Sequence, residues 1–130
     1  MDKDLDKIKQ LTESISVQMD FVDKLIAALE TSNEGIAILD KDGIYIYINK
    51  AHEKMFKYNK GEMLGKSWTI LYDEKKIKYF VEEVFPILGQ QGYWQGEDVG
   101  ICKDGSLQKE KVYLTSLPDG GLVCTCIKLD

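Results

Sequence analysis

The chain has 130 residues, 44% hydrophobic and 30% charged, enough for one domain with its own core plus an appendage, and ordinary for a soluble protein. With 17 basic against 22 acidic side chains, a net charge of −5 and no basic stripe, a nucleic-acid surface is excluded. No apolar run approaches the roughly 18 residues of a membrane span and no signal-peptide pattern opens the chain, so the expected location is cytoplasmic, without membrane contact by these residues.

Residues 2–30 lack Gly and Pro and carry apolar residues at helical spacing. In a heptad frame Met1, Ile8, Ile15, Val22 and Leu29 fall at a. Leu11 and Leu25 fall at d, as do the polar Asp4 and Gln18, while Leu5, Met19 and Ile26 at e widen the stripe. β-Branched residues at a with Leu at d favour two parallel strands. Ile8, Leu11, Ile15, Val22, Leu25 and Leu29 are therefore the expected homodimer interface. The same stripe suits an amphipathic helix laid on its own domain, and the two halves of the helix can divide these tasks. Thr31-Ser32-Asn33 compete for backbone hydrogen bonds and end the helix. The expected division is a helix over 1–31 and a domain over 32–130.

That domain is organised around Gly35–Asn49. Ile44, Ile46 and Ile48 alternate with Tyr45 and Tyr47 at the period of a strand. Ile36–Leu39 forms an apolar run ahead of them, and Asp42-Gly43 between the two supplies positive φ, so the stretch reads as a β-hairpin. The Ile row is expected to face the core. The Tyr row is bulky enough to need a cover of its own, a role left to the amino-terminal helix.

Asn49 is a plausible N-cap for a short helix to Lys57, with Ala51, Met55 and Phe56 inward and His52 on the shoulder of that face. Asn59-Lys60-Gly61-Glu62 has capping-box spacing, and Gly65 ends that turn. Asp73 caps the longest helix of the domain, where Ile77, Phe80, Val81, Val84 and Leu88 follow the 3.6 period. Pro86 is expected to kink or end it near Phe85. From Tyr93 the pattern returns to strands, punctuated by turns at Asp104-Gly105 and Asp119-Gly120-Gly121. Five strands, mostly antiparallel, with helices on one face make an α+β domain.

Chemistry-bearing residues are sparse. The single His has no nucleophile–base set around it, so no catalytic residue is assigned. Gly89, Gly92 and Gly96 make neither a phosphate loop nor a dinucleotide fingerprint. The run Asp73–Lys78 reads as a helix start with its solvent face. Lys109, Glu110 and Lys111 read as an exposed strand segment. Cys124 and Cys126, two apart on a strand, share a face. A lone C-x-C reads as buried thiols packing as small hydrophobes ahead of a zinc site. No metal ligand is assigned.

The run Asn49–Trp68 resembles the core of PAS domains, which show Asn-x-Ala, an aromatic a few residues on, Glu-x-x-Gly and a basic residue. Here these are Asn49, Ala51, Phe56, Tyr58, Glu62, Gly65 and Lys66. The resemblance continues in Gly92-Tyr93-Trp94-Gln95-Gly96-Glu97, in Lys103-Asp104-Gly105, and in Leu114–Leu117 with Asp119-Gly120-Gly121. It spans about residues 30–130, with the motifs in the family's order.

The resemblance implies a five-stranded antiparallel sheet whose helical flank encloses a small pocket. It implies a sensory or relay domain of a larger signalling protein, such as a sensor histidine kinase of a two-component system, dimerising through its first helix. An output domain would follow residue 130, with Asp130 at the signal junction. Ile46, Ile48, Phe56, Trp68, Leu71, Phe80, Val84 and Cys124 are the expected pocket lining, suited to a small apolar or weakly polar ligand that the sequence does not name. A LOV-type flavin is disfavoured, because residues 67–75 lack the adduct-forming Cys, and so is photoactive-yellow-type chemistry. Haem held by a His on the long helix is disfavoured, since residues 74–88 contain none. Non-covalent flavin stays compatible, with Trp68 and Trp94 able to border a ring. The alternative is a ligand-free structural dimerisation module, with a stand-alone enzyme third.

Overall fold

The computed structural model describes residues 2–130, and Met1, the first a position of the heptad frame, lies outside the described residues. The chain divides after Thr31 into two compact units. The first is α1 (Asp2–Glu30), one unbroken helix of 29 residues with Asp2 and Asp4 in its first turn, where negative charge suits the helix dipole. None of its residues is buried. Ile8, Leu11, Ile15, Val22 and Leu25 are all exposed and Leu29 is half-buried. Among the described residues no helix is long and apolar enough to cross a membrane.

The second unit is built on five strands: β1 (Gly35–Leu39), β2 (Tyr45–Ile48), β3 (Tyr93–Ile101), β4 (Leu107–Ser116) and β5 (Leu122–Lys128). They pair antiparallel in the order β2-β1-β5-β4-β3, so the first hairpin and the closing meander meet where β1 pairs with β5. Between the two halves the chain crosses one face as α2 (Lys50–Met55), a 3₁₀ turn (Trp68–Leu71), α3 (Glu74–Tyr79), a π turn (Phe80–Val84) and α4 (Phe85–Gln91). The core lies between that face and this flank. Ala37, Leu39, Tyr45, Val112, Leu114 and Cys126 from the sheet meet Phe56, Met63, Leu71, Phe80, Val84 and Leu88. Each large side chain so buried contributes about 1.5–3 kcal/mol, which is what holds such short helical pieces in place.

The hairpin departs from strict alternation. Leu39 lies opposite Tyr45 and Ile38 opposite Tyr47, which leaves Ile46 as an extra residue in a bulge. Ile46 is therefore turned out, 58% exposed, while Tyr45 enters the core at 4%. The expected Ile row is split: Ile48 is buried and Ile44 half-buried. Gly43, in the turn, has φ +77°, and a Cβ there would lie 2.6 Å from the Trp68 ring. Both the backbone and the close approach require glycine.

The long helix is also modified. Asp73 caps α3, its Oδ1 accepting from the Lys76 N–H at 2.8 Å. Pro86 neither ends nor breaks the helical path. The turn ahead of it widens, with the Phe85 N–H donating to the Phe80 carbonyl five residues back, and α4 continues to Gly92. A wider turn relieves the clash of a proline ring with the preceding carbonyls. It also shifts the phase of the apolar stripe. Phe80, Val84 and Leu88 stay buried, but Val81 is 52% exposed.

Candidate functional site

A cavity of about 500 Å³ lies between the sheet and the helical flank. Its sheet side is Leu39, Tyr45, Val112, Leu114, Leu122 and Cys124, and the flank contributes Trp68, Tyr72, Phe80, Phe85 and Leu88. The turns at Asp40–Gly43 and Gly120–Gly121, with Ser116, make its rim. Two carboxylates, one on the rim and one beside it, are engaged in holding these turns. Asp40 accepts from the Asp42 and Ile44 N–H groups at 2.9 and 3.0 Å, and Asp119, beside the rim, accepts from Gly121 at 2.8 Å.

The aromatic wall assembles from the local structure of the flank. Ser67 caps the 3₁₀ turn through the Thr69 N–H, and the Trp68 N–H donates to the Gly43 carbonyl at 3.0 Å, fixing the indole over the hairpin turn. Trp68 then meets Phe85 and Phe80 edge to face, with centroids 5.3 and 5.6 Å apart, and Tyr72 stacks tilted on Phe80 at 5.1 Å. Such geometries add to the area burial of each ring. Trp94, on β3, packs on the far side of Phe80 at 5.8 Å. The result is a concave, aromatic, mostly apolar chamber with few polar groups, the usual character of a small-molecule site.

Behind Tyr72 lies a polar cluster. Glu110 on β4 is fully buried and accepts from the Tyr72 hydroxyl at 2.6 Å. Asp98 is its direct cross-strand neighbour on β3, also buried. Drawn as two carboxylates, both Asp98 oxygens and the second Glu110 oxygen have no donor. A proton on Glu110 accounts for two of the three, since the neutral acid donates to one Asp98 oxygen. Burial first, and then Asp98, push the Glu110 carboxyl up to about 10, and burial likewise raises Asp98. At neutral pH Glu110 therefore holds a proton, and the two acids titrate as a pair.

His52 and Asn49 form a second buried polar site at the start of α2. Asn49 Oδ1 accepts from the Ile36 N–H at 2.8 Å and the His52 N–H at 3.0 Å, and its Nδ2 donates to the Glu34 carbonyl at 3.0 Å. The cap thus also ties α2 to β1. The His52 ring is buried against Tyr45 and Phe56, and burial lowers its pKa to about 4. It is a neutral core residue in this environment, not a residue on the shoulder of its helix.

Of the eight residues expected to line a pocket, the structure places Trp68, Phe80 and Cys124 on the cavity wall. Ile46 is a correction: the bulge turns it to solvent. Ile48, Phe56, Leu71 and Val84 are buried in the packed core and are not among the residues lining this cavity. Phe56 lies against β3 over Gly100, where a Cβ would come within 2.6 Å of its ring. Sequence reasoning missed Tyr45, Tyr72, Phe85, Leu88 and Leu122 as lining, and it took Glu110 for a surface residue. A signal was present for Glu110, which shares the strand phase of Val112 and Leu114. Among the described residues, no three His, Cys, Asp or Glu side chains are placed to hold a metal.

A family model of the PAS fold matches residues 23–128. A PAS domain from Colwellia psychrerythraea superposes with a TM-score of 0.77 at 20% identity, covering 84% of this chain and 97% of that one. The PAS domain of a LuxR-family transcriptional regulator from Burkholderia thailandensis, solved with ethanol, gives 0.73 at 17% identity, covering 79% and 95%. A domain of a sensory box sensor histidine kinase/response regulator from Geobacter sulfurreducens gives 0.66 at 21% identity, covering 81% and 91%. At these identities the likeness is one of fold.

Proposed function

The chain belongs to the PAS fold family, and on that premise we propose that it is a cytoplasmic sensory or relay domain of a larger signal-transduction protein, of the sensor histidine kinase kind. PAS domains are sensory folds rather than catalytic ones, and they occur in histidine kinases and transcriptional regulators. The observation that carries the sensory reading is the aromatic cavity of about 500 Å³ between sheet and flank. Its occupant is a compact apolar or weakly polar molecule; the ethanol held by the Burkholderia relative is of that character.

In this reading the exposed stripe of α1 pairs with that of a second copy, and an output domain follows Asp130. Ligand binding shifts the flank against the sheet and biases the paired output between two states. Native against denaturing mass spectrometry, with an absorbance scan, tests it. A dimer carrying extra mass that is lost on denaturation is the expected result. A dimer at twice the sequence mass points instead to a ligand-free dimerisation module, and a monomer removes the helix pairing. Ile15→Asp should give a monomer in sedimentation while leaving the melting temperature of the 32–130 unit unchanged.

A further inference from the structure

The C-x-C pair of β5 enters the sensory reading only through Cys124 on the cavity wall, yet its geometry is specific. Cys124 and Cys126 point to the same face of the sheet with their Sγ atoms 3.3 Å apart. Cys124 is half-buried on the cavity wall, while Cys126 is buried next to it and does not line the cavity. Ala37, opposite Cys124 on β1, places only a methyl group beside it.

The spacing selects among the chemistries open to two thiols. A disulfide needs the sulfurs at about 2.05 Å and Cα atoms within about 6.8 Å, the limit that two residues of extended strand just reach, so closure would strain β5. With metal–sulfur bonds of about 2.3 Å, a linear centre needs sulfurs about 4.6 Å apart and a tetrahedral one about 3.8 Å. A tetrahedral zinc site also needs two further ligands, and no such group exists among the described residues. A pyramidal centre with bond angles near a right angle needs about 3.3 Å, the separation found here.

We propose that Cys124 and Cys126 form a covalent capture site for a trivalent pyramidal thiophile of the mono-organo arsenic(III) class, its organic group lying in the aromatic cavity. Such a species needs only two protein ligands, because the third bond is already made to carbon, and thiols are the soft ligands it prefers. In the capture step an arsenoxide R–As=O reacts with both S–H groups. Two As–S bonds form, the As–O bond is lost, and the two thiol protons leave with that oxygen as water. Arsenic stays trivalent and no oxidant is consumed. The inference rests on the cavity and the thiol pair, not on the sensory reading.

Phenylarsine oxide is the probe, followed by intact-mass measurement on the protein as purified. The expected product is one adduct per chain with the mass of the reagent less one water, together with quenching of tryptophan emission as the phenyl ring settles against Trp68. Excess 2,3-dimercaptopropanol should reverse it, whereas the same concentration of 2-mercaptoethanol should not. Cys124→Ser and Cys126→Ser should each lower adduct yield at least tenfold, and Cys102→Ser should leave it unchanged. Wild-type protein supplies a check that needs no variant: after adduct formation, maleimide labelling in denaturant should reach Cys102 alone of the three cysteines. Failure of the adduct to form, its survival in Cys126→Ser, or labelling of all three cysteines overturns the proposal. If native mass spectrometry shows a resident molecule, its displacement by the reagent supports capture. Retention of that molecule on unmodified protein overturns capture while leaving the sensory reading intact.

Discussion

Asn49 and Glu110 are both fully buried polar side chains in this domain, and they are satisfied in opposite ways. Asn49 is surrounded by backbone: it accepts from two N–H groups and donates to one carbonyl, none of which titrates. Glu110 has one neutral donor, the Tyr72 hydroxyl, and beyond that depends on the proton it holds beside Asp98. Burial of a polar group is thus unconditional in one place and conditional on pH in the other. The first joins α2 to the sheet edge; the second stands behind the cavity wall.

The largest effect expected from breaking this contrast is at Asn49. Asn49→Leu leaves the buried His52 N–H and the part-buried Ile36 N–H without their partner, each at about 1–3 kcal/mol, and also frees the Glu34 carbonyl of exposed Glu34. A loss of about 3 kcal/mol or more should appear as a fall in melting temperature of more than about 10 °C, equal at pH 5 and pH 8. A melting curve within a few degrees of wild type would remove Asn49 from its place as the joint.

The pH dependence of stability sharpens the same contrast. Glu110 has a folded pKa raised from 4.5 to about 10, so the native state holds a proton that the unfolded chain releases. Stability from this group is complete below the unfolded value and declines as pH rises towards the folded one. His52 runs the other way: with its folded pKa lowered from 6.5 to about 4, its contribution is present above 6.5 and is lost as pH falls towards 4. Between about 4.5 and 6.5 the two slopes oppose, and stability should be nearly flat. Above that window it should fall by at most about 1.4 kcal/mol per pH unit, the linkage of one proton. Urea titrations from pH 4 to 9 measure this. Glu110→Gln should flatten the alkaline limb and uncover the His52 slope, so that stability rises with pH from about 4 to 6.5; an unchanged alkaline limb would mean that Glu110 is not the group that holds the proton.

The smallest effect is expected at Tyr72. Tyr72→Phe keeps the ring on Phe80 and removes one hydrogen bond to Glu110, which should cost about 1 kcal/mol at neutral pH. The Tyr72 hydroxyl favours the charged carboxylate, so its loss raises the Glu110 carboxyl further, and the alkaline limb should keep its slope and run on to higher pH. Loss of several kcal/mol instead would assign the hydroxyl a structural role beyond this contact.

Much of the architecture was legible from local chemistry. Asn49, Ser67 and Asp73 cap where short polar side chains precede helical turns, and Gly43, Gly105 and Gly120 take positive φ where hairpins reverse. These devices act within a few residues, so one stretch of chain contains all the information. Five strands and a helical flank follow from hydrophobic period and turn residues alone.

What the sequence could not decide was which side of each element the core would claim. The bulge at Ile46 exchanges an isoleucine for a tyrosine inside, and the π turn before Pro86 sends Val81 outward while keeping Val84 in. Both depend on register with a partner element, to which a local period is blind. Glu110 lies between two lysines and looks like surface, and only pairing with β3 sets Asp98 against it and the flank brings Tyr72 over it. The order of elements and their caps belong to the sequence, because backbone geometry and short-range hydrogen bonds determine them. The cavity and the paired acids Asp98 and Glu110 belong to the tertiary structure, because each is made where segments distant in the chain are packed together, whereas the thiol pair on β5 was already legible in its spacing.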